Sequence, residues 1–266
     1  MRELLVRTIS GLIYMTLILF AMYANVEYYL ILTGCFGLLT LFEFQRLVSI
    51  KSLLPYAIFL MLFAGIQMQV FPDWIDFIVG VLGVIMNTYL MLNLLEFMSN
   101  QRLERKYILM VFYIMIGVIT MGLIPQVYGA YDMNLMAGVF ILIWVNDSMA
   151  YLVGVNFGRR KLLEHISPKK TIEGTLGGVV GALITAAVMA QYFINQSLYL
   201  WIGLALLISV LGTLGDLVQS KFKRKAQVKD SGALLPGHGG IYDRLDSIIF
   251  VSPFVYCLLQ IVAYVS

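Results

Sequence analysis

The sequence predicts an all-α, polytopic membrane protein with about nine transmembrane helices, a cytoplasmic N-terminus and a C-terminus on the outside. The first observation is composition: 61% of the 266 residues are hydrophobic and only 12% are charged. Soluble domains are about 45–50% apolar and about 25% charged. The second observation is that the apolar residues form runs of roughly 20, the length at which a helix crosses the hydrocarbon core of a bilayer.

Nine such runs follow one another, and no alternation of apolar and polar residues indicates a strand. Because a helix satisfies its own backbone hydrogen bonds in lipid, each run is predicted to be a helix. We expect one integral membrane domain over 1–266, with an apolar helical part at 1–130 and the catalytic motifs at 131–266. The runs lie near 4–24, 27–47, 53–71, 74–98, 107–128, 133–157, 174–195, 198–220 and 241–264.

The basic residues predict the orientation. All 18 Lys and Arg residues lie at the N-terminus or in or beside the second, fourth, sixth and eighth connections between the runs. Positively charged connections stay in the cytoplasm, so the number of spans is odd and the N-terminus is inside. Orientation, with attraction to anionic lipid, is also the alternative explanation for any single cation in these connections.

Four aspartates lie inside the apolar runs or at their start. Asp147 is in the sixth run, Asp216 is in the eighth, and Asp243 and Asp246 open the ninth. A charged Asp at a helix centre costs about 2.5–3.5 kcal/mol on insertion scales, so such acids are candidates for function. The predicted topology brings all four to the cytoplasmic side, where their oxygens would suit Mg²⁺. Structural alternatives stay open: a helix N-terminal acid for Asp243, an ion pair for Asp246, a supporting or ion-pair role for Asp147, and a structural role for Asp216.

Glycine marks two further segments. The seventh run has GxxxG spacing at Gly174–Gly178 and Gly177–Gly181, which is typical of close helix packing. Close approach of a nucleotide to the Gly177–Gly178 pair is the alternative. The segment PGHGG at 236–240 cannot continue a helix, and its free N–H groups ahead of a helix would form an anion site. Within it, His238 is either a phosphate donor or an ordinary loop residue.

Together these segments resemble the bacterial phosphatidate cytidylyltransferase family, also called CDP-diacylglycerol synthases. The family signature runs S-x-x-K-R, K-D, P-G-H-G-G and D-R-x-D in that order. This chain reads Ser220-Lys221-Phe222-Lys223-Arg224, Lys229-Asp230, Pro236-Gly237-His238-Gly239-Gly240 and Asp243-Arg244-Leu245-Asp246. Similar segments precede it at Asn146-Asp147, Ser167-Pro168-Lys169-Lys170-Thr171, Glu173-Gly174 and Gly215-Asp216. The resemblance covers residues 140–250 well, whereas the first 130 residues match only as apolar helices.

The resemblance implies the Mg²⁺-dependent reaction of CTP with phosphatidic acid, giving CDP-diacylglycerol and diphosphate at the inner face of the cytoplasmic membrane. The expected partners are CTP, phosphatidic acid, membrane lipids and a second copy of the chain, with no nucleic acid. Because the attacking phosphate is already ionised, no general base is needed, and catalysis consists of positioning and neutralising two anions.

The expected site residues fall into three sets. The metal set is Asp216, Asp243 and Asp246. The catalytic set adds Lys221, Arg224 and His238. The substrate-binding set is Asn146, Asp147, Lys169, Lys170, Thr171, Glu173, Gly177, Gly178, Ser220, Lys229, Asp230, Gly239, Gly240 and Arg244.

Other functions remain as alternatives at this stage. A CTP-dependent lipid or polyprenol kinase would transfer the terminal phosphate and release CDP. A cation transporter would use Asp147 and Asp216, but the odd-numbered connections contain no basic residue and few acids. A CDP-alcohol phosphotransferase is disfavoured because the chain has no DGxxAR segment.

Overall fold

The computed structural model describes residues 2–95, 103–192, 196–234, 237 and 239–265, with the backbone alone over 2–8. Across these residues the chain forms nine helical segments and one two-stranded hairpin. The helices are α1 (Arg2–Ala24), α2 (Val26–Leu47), α3 (Leu54–Gln67), α4 (Asp73–Leu92), α5 (Leu103–Gln126), α6 (Met133–Phe157), α7 (Ile172–Tyr192), α8 (Leu198–Lys225) and α9 (Tyr242–Val265). The strands are β1 (Lys161–Leu163) and β2 (Ser167–Thr171).

The predicted all-α membrane fold is confirmed at the level of its helices. Of the helices in the described residues, seven (α2 and α4–α9) are long and apolar enough to cross a membrane. Two apolar helices are shorter, namely Ile9–Ala24 within α1 and the whole of α3. The predicted run at 53–71 is longer than α3, because the chain turns after Gln67 and Gln69 takes a left-handed φ of 54°.

Polar side chains mark the breaks between helices. Asp132 accepts hydrogen bonds from the N–H groups of Asn134 and Leu135 at 3.0 and 3.1 Å, which caps α6. The Ser197 hydroxyl accepts from the Leu200 N–H at 3.2 Å and caps α8. A capping side chain satisfies N–H groups that the first turn of a helix leaves without partners. The short polar gaps between the apolar runs are therefore where the helices start.

Helix α5 is irregular where it meets the other helices. Its middle, Met110–Met115, is a π-helical turn, a distortion that often lies beside functional sites. From this turn the buried Tyr113 side chain reaches α9, and its hydroxyl is 3.0 Å from that of Tyr242. The rings of Phe44 and Phe222 pack edge to face at 5.3 Å beside this pair. The cluster joins α2, α5 and α8 to the first turn of α9.

The hairpin is a feature that the apolar pattern did not predict. Strands β1 and β2 pair antiparallel, with Lys161 opposite Thr171 and Leu163 opposite Ser167. The strands are three and five residues long, too short for an alternating pattern to be visible. The hairpin lies between α6 and α7, so it presents Lys169 and Lys170 at the head of α7.

Close packing of α6 against α7 confirms the packing interpretation of the GxxxG segment. A methyl group added at Gly174 would lie 2.6 Å from the backbone oxygen of Ala150. One added at Gly178 would lie 2.6 Å from the side-chain oxygen of Asn146. Helix α9 packs in turn against α8, α5 and α4. The second half of the chain is thereby joined to the first.

Replacing Gly174 by Ala tests the α6–α7 contact. We expect the free energy of unfolding to fall by about 1–3 kcal/mol, because backbone atoms cannot move aside for the methyl group as a flexible side chain would. The matched control is Gly203→Ala on α8, where nothing lies within 4 Å of the added methyl group. Thermal unfolding in detergent measures both variants. Equal midpoints for the two would contradict the packing described for α6 and α7.

Candidate functional site

A cavity of about 670 Å³ opens among α6, α7, α8, α9 and the hairpin. Its residues come from parts of the chain about 100 positions apart, so only the tertiary fold assembles it. The four aspartates inside or at the start of the apolar runs all line it, which confirms their predicted convergence. Its charged lining consists of Asp147, Lys161, Lys169, Lys170, Asp216, Lys223, Asp230, Asp243, Arg244 and Asp246.

Asp216 connects α8 to the hairpin. Its Oδ2 lies 2.6 Å from the ammonium nitrogen of Lys170, and its Oδ1 accepts a hydrogen bond from the Ser220 hydroxyl at 3.2 Å. Lys170 also donates to the backbone oxygen of Thr213 at 3.4 Å. Three of the predicted site residues, Lys170, Asp216 and Ser220, are thus in direct contact.

Asp243 is the most heavily hydrogen-bonded carboxylate of the cavity. Its Oδ1 lies 2.8 Å from the Lys223 nitrogen and accepts from the Gln219 amide at 3.1 Å. Its Oδ2 accepts from the Ser231 N–H at 2.8 Å, the Ser231 hydroxyl at 2.9 Å and the Gly240 N–H at 2.9 Å. This carboxylate therefore fixes α8 and the segment before α9 relative to each other.

Asp147 and Asp246 have a different environment. Asp147 accepts from the Asn146 amide at 3.3 Å, and Asp246 accepts from the N–H of Ser247 at 2.7 Å. Within the described residues neither carboxylate forms a salt bridge. The ion-pair alternatives for these two residues are therefore not seen in this part of the chain.

The chemistry of the cavity suits a hard cation. Carboxylate oxygens are the ligands that Mg²⁺ prefers in proteins. Among the described residues, however, no three metal-ligating side chains are grouped closely enough to form a site. Lys170 and Lys223 instead bring positive charge to Asp216 and Asp243. Carboxylate oxygens of this kind fit Mg²⁺ chemically. In this structure the ammonium groups of Lys170 and Lys223 contact the carboxylates of Asp216 and Asp243.

Lys221 and Arg224, predicted to bind phosphate, make contacts outside the described lining of the cavity. The Lys221 ammonium donates to the backbone oxygens of Asn93 and Leu94, which follow α4. Arg224 donates to the Ile166 oxygen at 3.2 Å, in the turn of the hairpin. Both contacts join α8 to neighbouring elements. A catalytic role for either residue stays a prediction.

Several predicted binding residues shape the surroundings of the cavity. Glu173 accepts from the N–H groups of Arg159 and Arg160 at 3.0 and 3.1 Å. The Thr171 hydroxyl accepts from the Gly174 N–H at 3.1 Å at the start of α7. These contacts order the connection between α6 and α7.

The remaining predicted residues lie at helix contacts or in the segment before α9. Gly177 faces Val153 across the α6–α7 contact, alongside Gly178, so binding of a nucleotide there stays a prediction. Lys229 is exposed, and Gly239 has a left-handed φ of 86°. His238 lies outside the described residues.

Two residues that hold the site together were missed in the sequence. Lys223 pairs with Asp243, and the carboxylate of Glu43 on α2 is buried beneath the first turn of α9. For Glu43 a signal was available, because an acid between Phe42 and Phe44 in an apolar run is unusual. For Lys223 the signal was helical spacing, since it lies seven residues, about two turns, after Asp216.

A second cavity of about 110 Å³ reaches the same carboxylates from the side of α1. It shares Asp147, Asp243, Arg244, Asp246 and Ser247 with the larger cavity. Its other walls are mostly apolar or small. They comprise Ser10, Gly11, Tyr14 and Met15 of α1 and Ile143 and Trp144 of α6.

Comparison with known proteins gives a match over nearly the whole chain. The family model described as the cytidylyltransferase family matches residues 5–262. The phosphatidate cytidylyltransferase of Staphylococcus aureus (strain COL) is 50% identical over 122 residues, covering 45% of this chain and 46% of that protein. That of Bacillus subtilis (strain 168) is 51% identical over 122 residues, covering 46% and 45%. The matched part of the chain thus spans a little under half the length of these curated relatives.

Replacing Lys221 by Met tests the structural contact of that lysine. We expect the free energy of unfolding to fall by about 1–3 kcal/mol, because two backbone oxygens lose a charged donor. Lys51→Met, at an exposed lysine between α2 and α3, is the matched control and should melt as the unaltered protein does. A Lys221→Met protein of full stability would contradict this expectation.

Proposed function

Because the chain belongs to the cytidylyltransferase family, we propose that it is a phosphatidate cytidylyltransferase. It transfers CMP from CTP to phosphatidic acid, giving CDP-diacylglycerol and diphosphate. One observation carries the proposal: four aspartates from three helices share a cavity with five basic side chains. The aspartates are Asp147, Asp216, Asp243 and Asp246, and the basic residues are Lys161, Lys169, Lys170, Lys223 and Arg244. The names of the relatives in Staphylococcus aureus and Bacillus subtilis support the same activity.

The proposed reaction depends on neutralising negative charge more than on proton transfer. An oxygen of the lipid phosphate attacks the α-phosphorus of CTP, and the bond from that phosphorus to the β-phosphate bridging oxygen breaks. The lipid phosphate carries about −1.5 to −2 charge at pH 7, by analogy with phosphoserine, so it needs no general base. The barrier lies in bringing two anions together, and cationic side chains lower it by neutralisation and positioning. Lys169, Lys170 and Arg244 are the side chains proposed for this role.

We propose that Asp216 and Asp243 hold Mg²⁺, with Asp246 completing or supporting the set. When bound, the ion would neutralise phosphate charge and stabilise the departing diphosphate. Lys170 and Lys223 contact the same carboxylates, so these ammonium groups are already within reach of an incoming phosphate. A shift of either lysine from carboxylate to phosphate oxygen would exchange one anionic partner for another.

The two cavities suit the two proposed substrates. The larger is rimmed by lysines and suits a nucleoside triphosphate. The smaller cavity lies between α1 and α6. Met15 of α1 and Ile143 and Trp144 of α6 form its apolar wall. Leu12 and Ile13 on α1 are exposed on the outside of the bundle, 58% and 63% respectively, as expected of a lipid-facing surface. We infer that the lipid head group enters on this side while its acyl chains stay in the bilayer.

For the membrane topology we propose nine spans, a cytoplasmic N-terminus, an outer C-terminus and a catalytic cavity that faces the cytosol from the inner membrane. The nine helical segments of the described residues and the one-sided distribution of basic residues support this arrangement. A homodimer is proposed from the family resemblance.

A product assay tests the proposed function. Purified protein is incubated with phosphatidic acid in detergent micelles and CTP labelled at its α-phosphate. We expect the label in the lipid fraction, one diphosphate per CDP-diacylglycerol, and no product when EDTA removes the divalent ion. Release of CDP with phosphorylation of a lipid alcohol would instead support a kinase. Cation flux into sealed vesicles without CTP would support a transporter.

Substitution of the proposed metal ligands tests their assignment. Asp216→Asn and Asp243→Asn should each lower kcat by about 10²-fold or more, because each removes a charge that positions the ion. Asp132→Asn is the control, since Asn is an equally good helix cap and Asp132 lies at the start of α6, away from the cavity. Turnover is measured over a Mg²⁺ titration. Near-normal turnover of either cavity variant at limiting Mg²⁺ would refute the assignment.

A further inference from the structure

Helix α2 contributes one fully buried carboxylate, Glu43, which is 1% exposed. Its Oε1 accepts a hydrogen bond from the Ile241 N–H at 3.0 Å. Its Oε2 accepts from the Tyr242 N–H at 2.9 Å and lies 2.8 Å from the Ser231 hydroxyl oxygen. A buried carboxylate is costly unless such donors surround it. The N-terminus of α9 is favourable for one, because its N–H groups point outward and carry partial positive charge.

Two glycines make room for this carboxylate. A methyl group added at Gly232 would overlap Oε1 of Glu43, and one added at Gly240 would overlap Oε2. Neither glycine is among the residues with positive φ, which in this segment are Gly237 and Gly239. Space beside the carboxylate, more than backbone conformation, therefore excludes a side chain at both positions. The segment before α9 is fitted closely around Glu43.

Contacts continue from Glu43 to the proposed metal ligand. The Ser231 hydroxyl lies 2.8 Å from Oε2 of Glu43 and 2.9 Å from Oδ2 of Asp243. The same Asp243 oxygen accepts from the Gly240 N–H at 2.9 Å, and Gly240 packs against Glu43. The next residue of α2, Phe44, packs edge to face on the ring of Tyr242 at 5.9 Å. Adjacent residues of α2 thus hold both sides of the first turn of α9.

We propose that Glu43 is a positioning residue that holds Ser231, Ile241 and Tyr242 on α2 and thereby directs Asp243 into the cavity. The effect of Glu43 on catalysis rests on the proposed function, whereas its hydrogen bonds to Ile241 and Tyr242 can be measured without substrate. Glu43 does not line either cavity that contains Asp243 within the described residues. It therefore acts through Ser231, Gly240 and the first turn of α9.

Amide hydrogen exchange of the full-length protein in detergent tests the hold. Glu43→Gln keeps the shape of the side chain, but its NH₂ group cannot accept from a backbone N–H. We expect whichever amide then faces the NH₂ group, Ile241 or Tyr242, to exchange about tenfold faster or more, because it loses its acceptor. The other amide should exchange faster by a smaller factor, because its acceptor is no longer charged. Glu27→Gln, the same change at the exposed opposite end of α2, should leave exchange unaltered. Unchanged protection at 241–242 in Glu43→Gln would overturn the proposal.

Kinetics test the positioning role. Glu43→Gln should lower kcat by about 10²-fold, the effect of misplacing a reacting group by about 1 Å, and should raise the half-saturating Mg²⁺ concentration. If Glu43 only stabilised the fold, the molecules that do fold would keep the half-saturating Mg²⁺ concentration of the unaltered protein. Faster exchange with normal kcat and Mg²⁺ dependence would refute the positioning role. If the protein without substitutions makes no CDP-diacylglycerol, the proposed function is refuted instead. The hydrogen-exchange result would still test the contacts of Glu43.

Ser231→Ala provides a second variant should Glu43→Gln fail to fold. It removes the hydroxyl that contacts both carboxylates and leaves the backbone donors of Ile241 and Tyr242 in place. We expect the same changes in exchange and in half-saturating Mg²⁺, each smaller than for Glu43→Gln. If Ser231→Ala changes neither quantity, the contact of Ser231 with both carboxylates does not position Asp243 and the proposal fails.

Discussion

A carboxylate within the helices of a membrane protein is tolerated only where donors or cations surround it, and this constraint organises the structure. Asp216 is paired with a lysine of the hairpin, and Asp243 with a lysine of α8. Glu43 is satisfied by the segment before α9. Each contact joins two different elements of the fold. The bonds that make the buried charges tolerable therefore also assemble the cavity.

Much of the fold could be predicted because membrane helices have one dominant sequence signal, the length of an apolar run. Helix α6 begins and ends where its run does, α2 begins one residue before its run, and α9 is shifted from its run by one residue. The signal fails where apolar residues continue past a helix end, as they do after α3. It also fails for the hairpin, whose two short strands of mixed composition are held by backbone pairing.

The site was predicted in part, and helical geometry explains which part. Intramembrane position was enough to find Asp216 and Asp243, because few residues there carry charge. The order of the motifs predicted a catalytic role for Lys221 as well. At about 100° per residue, however, Lys221 lies roughly 140° around α8 from Asp216. Lys223 lies on the Asp216 side of the helix. The role of Glu43 depends on partners 188 to 199 positions away, which no local pattern contains.

The shortness of α3 has a consequence for the surrounding lipid. Its 14 residues extend about 21 Å, whereas a hydrocarbon core is about 30 Å thick. Exposed apolar residues, among them Leu53 and Met68, continue beyond both ends of the helix. The backbone N–H groups of Gln69 and Val70 donate to carbonyl oxygens of its last turn and close the turn that follows it. On the proposed nine-span topology, hydrophobic mismatch of this size would favour local thinning of the bilayer. Membrane thickness beside α2 and α3 would then bear on the stability of α2, the helix that carries Glu43.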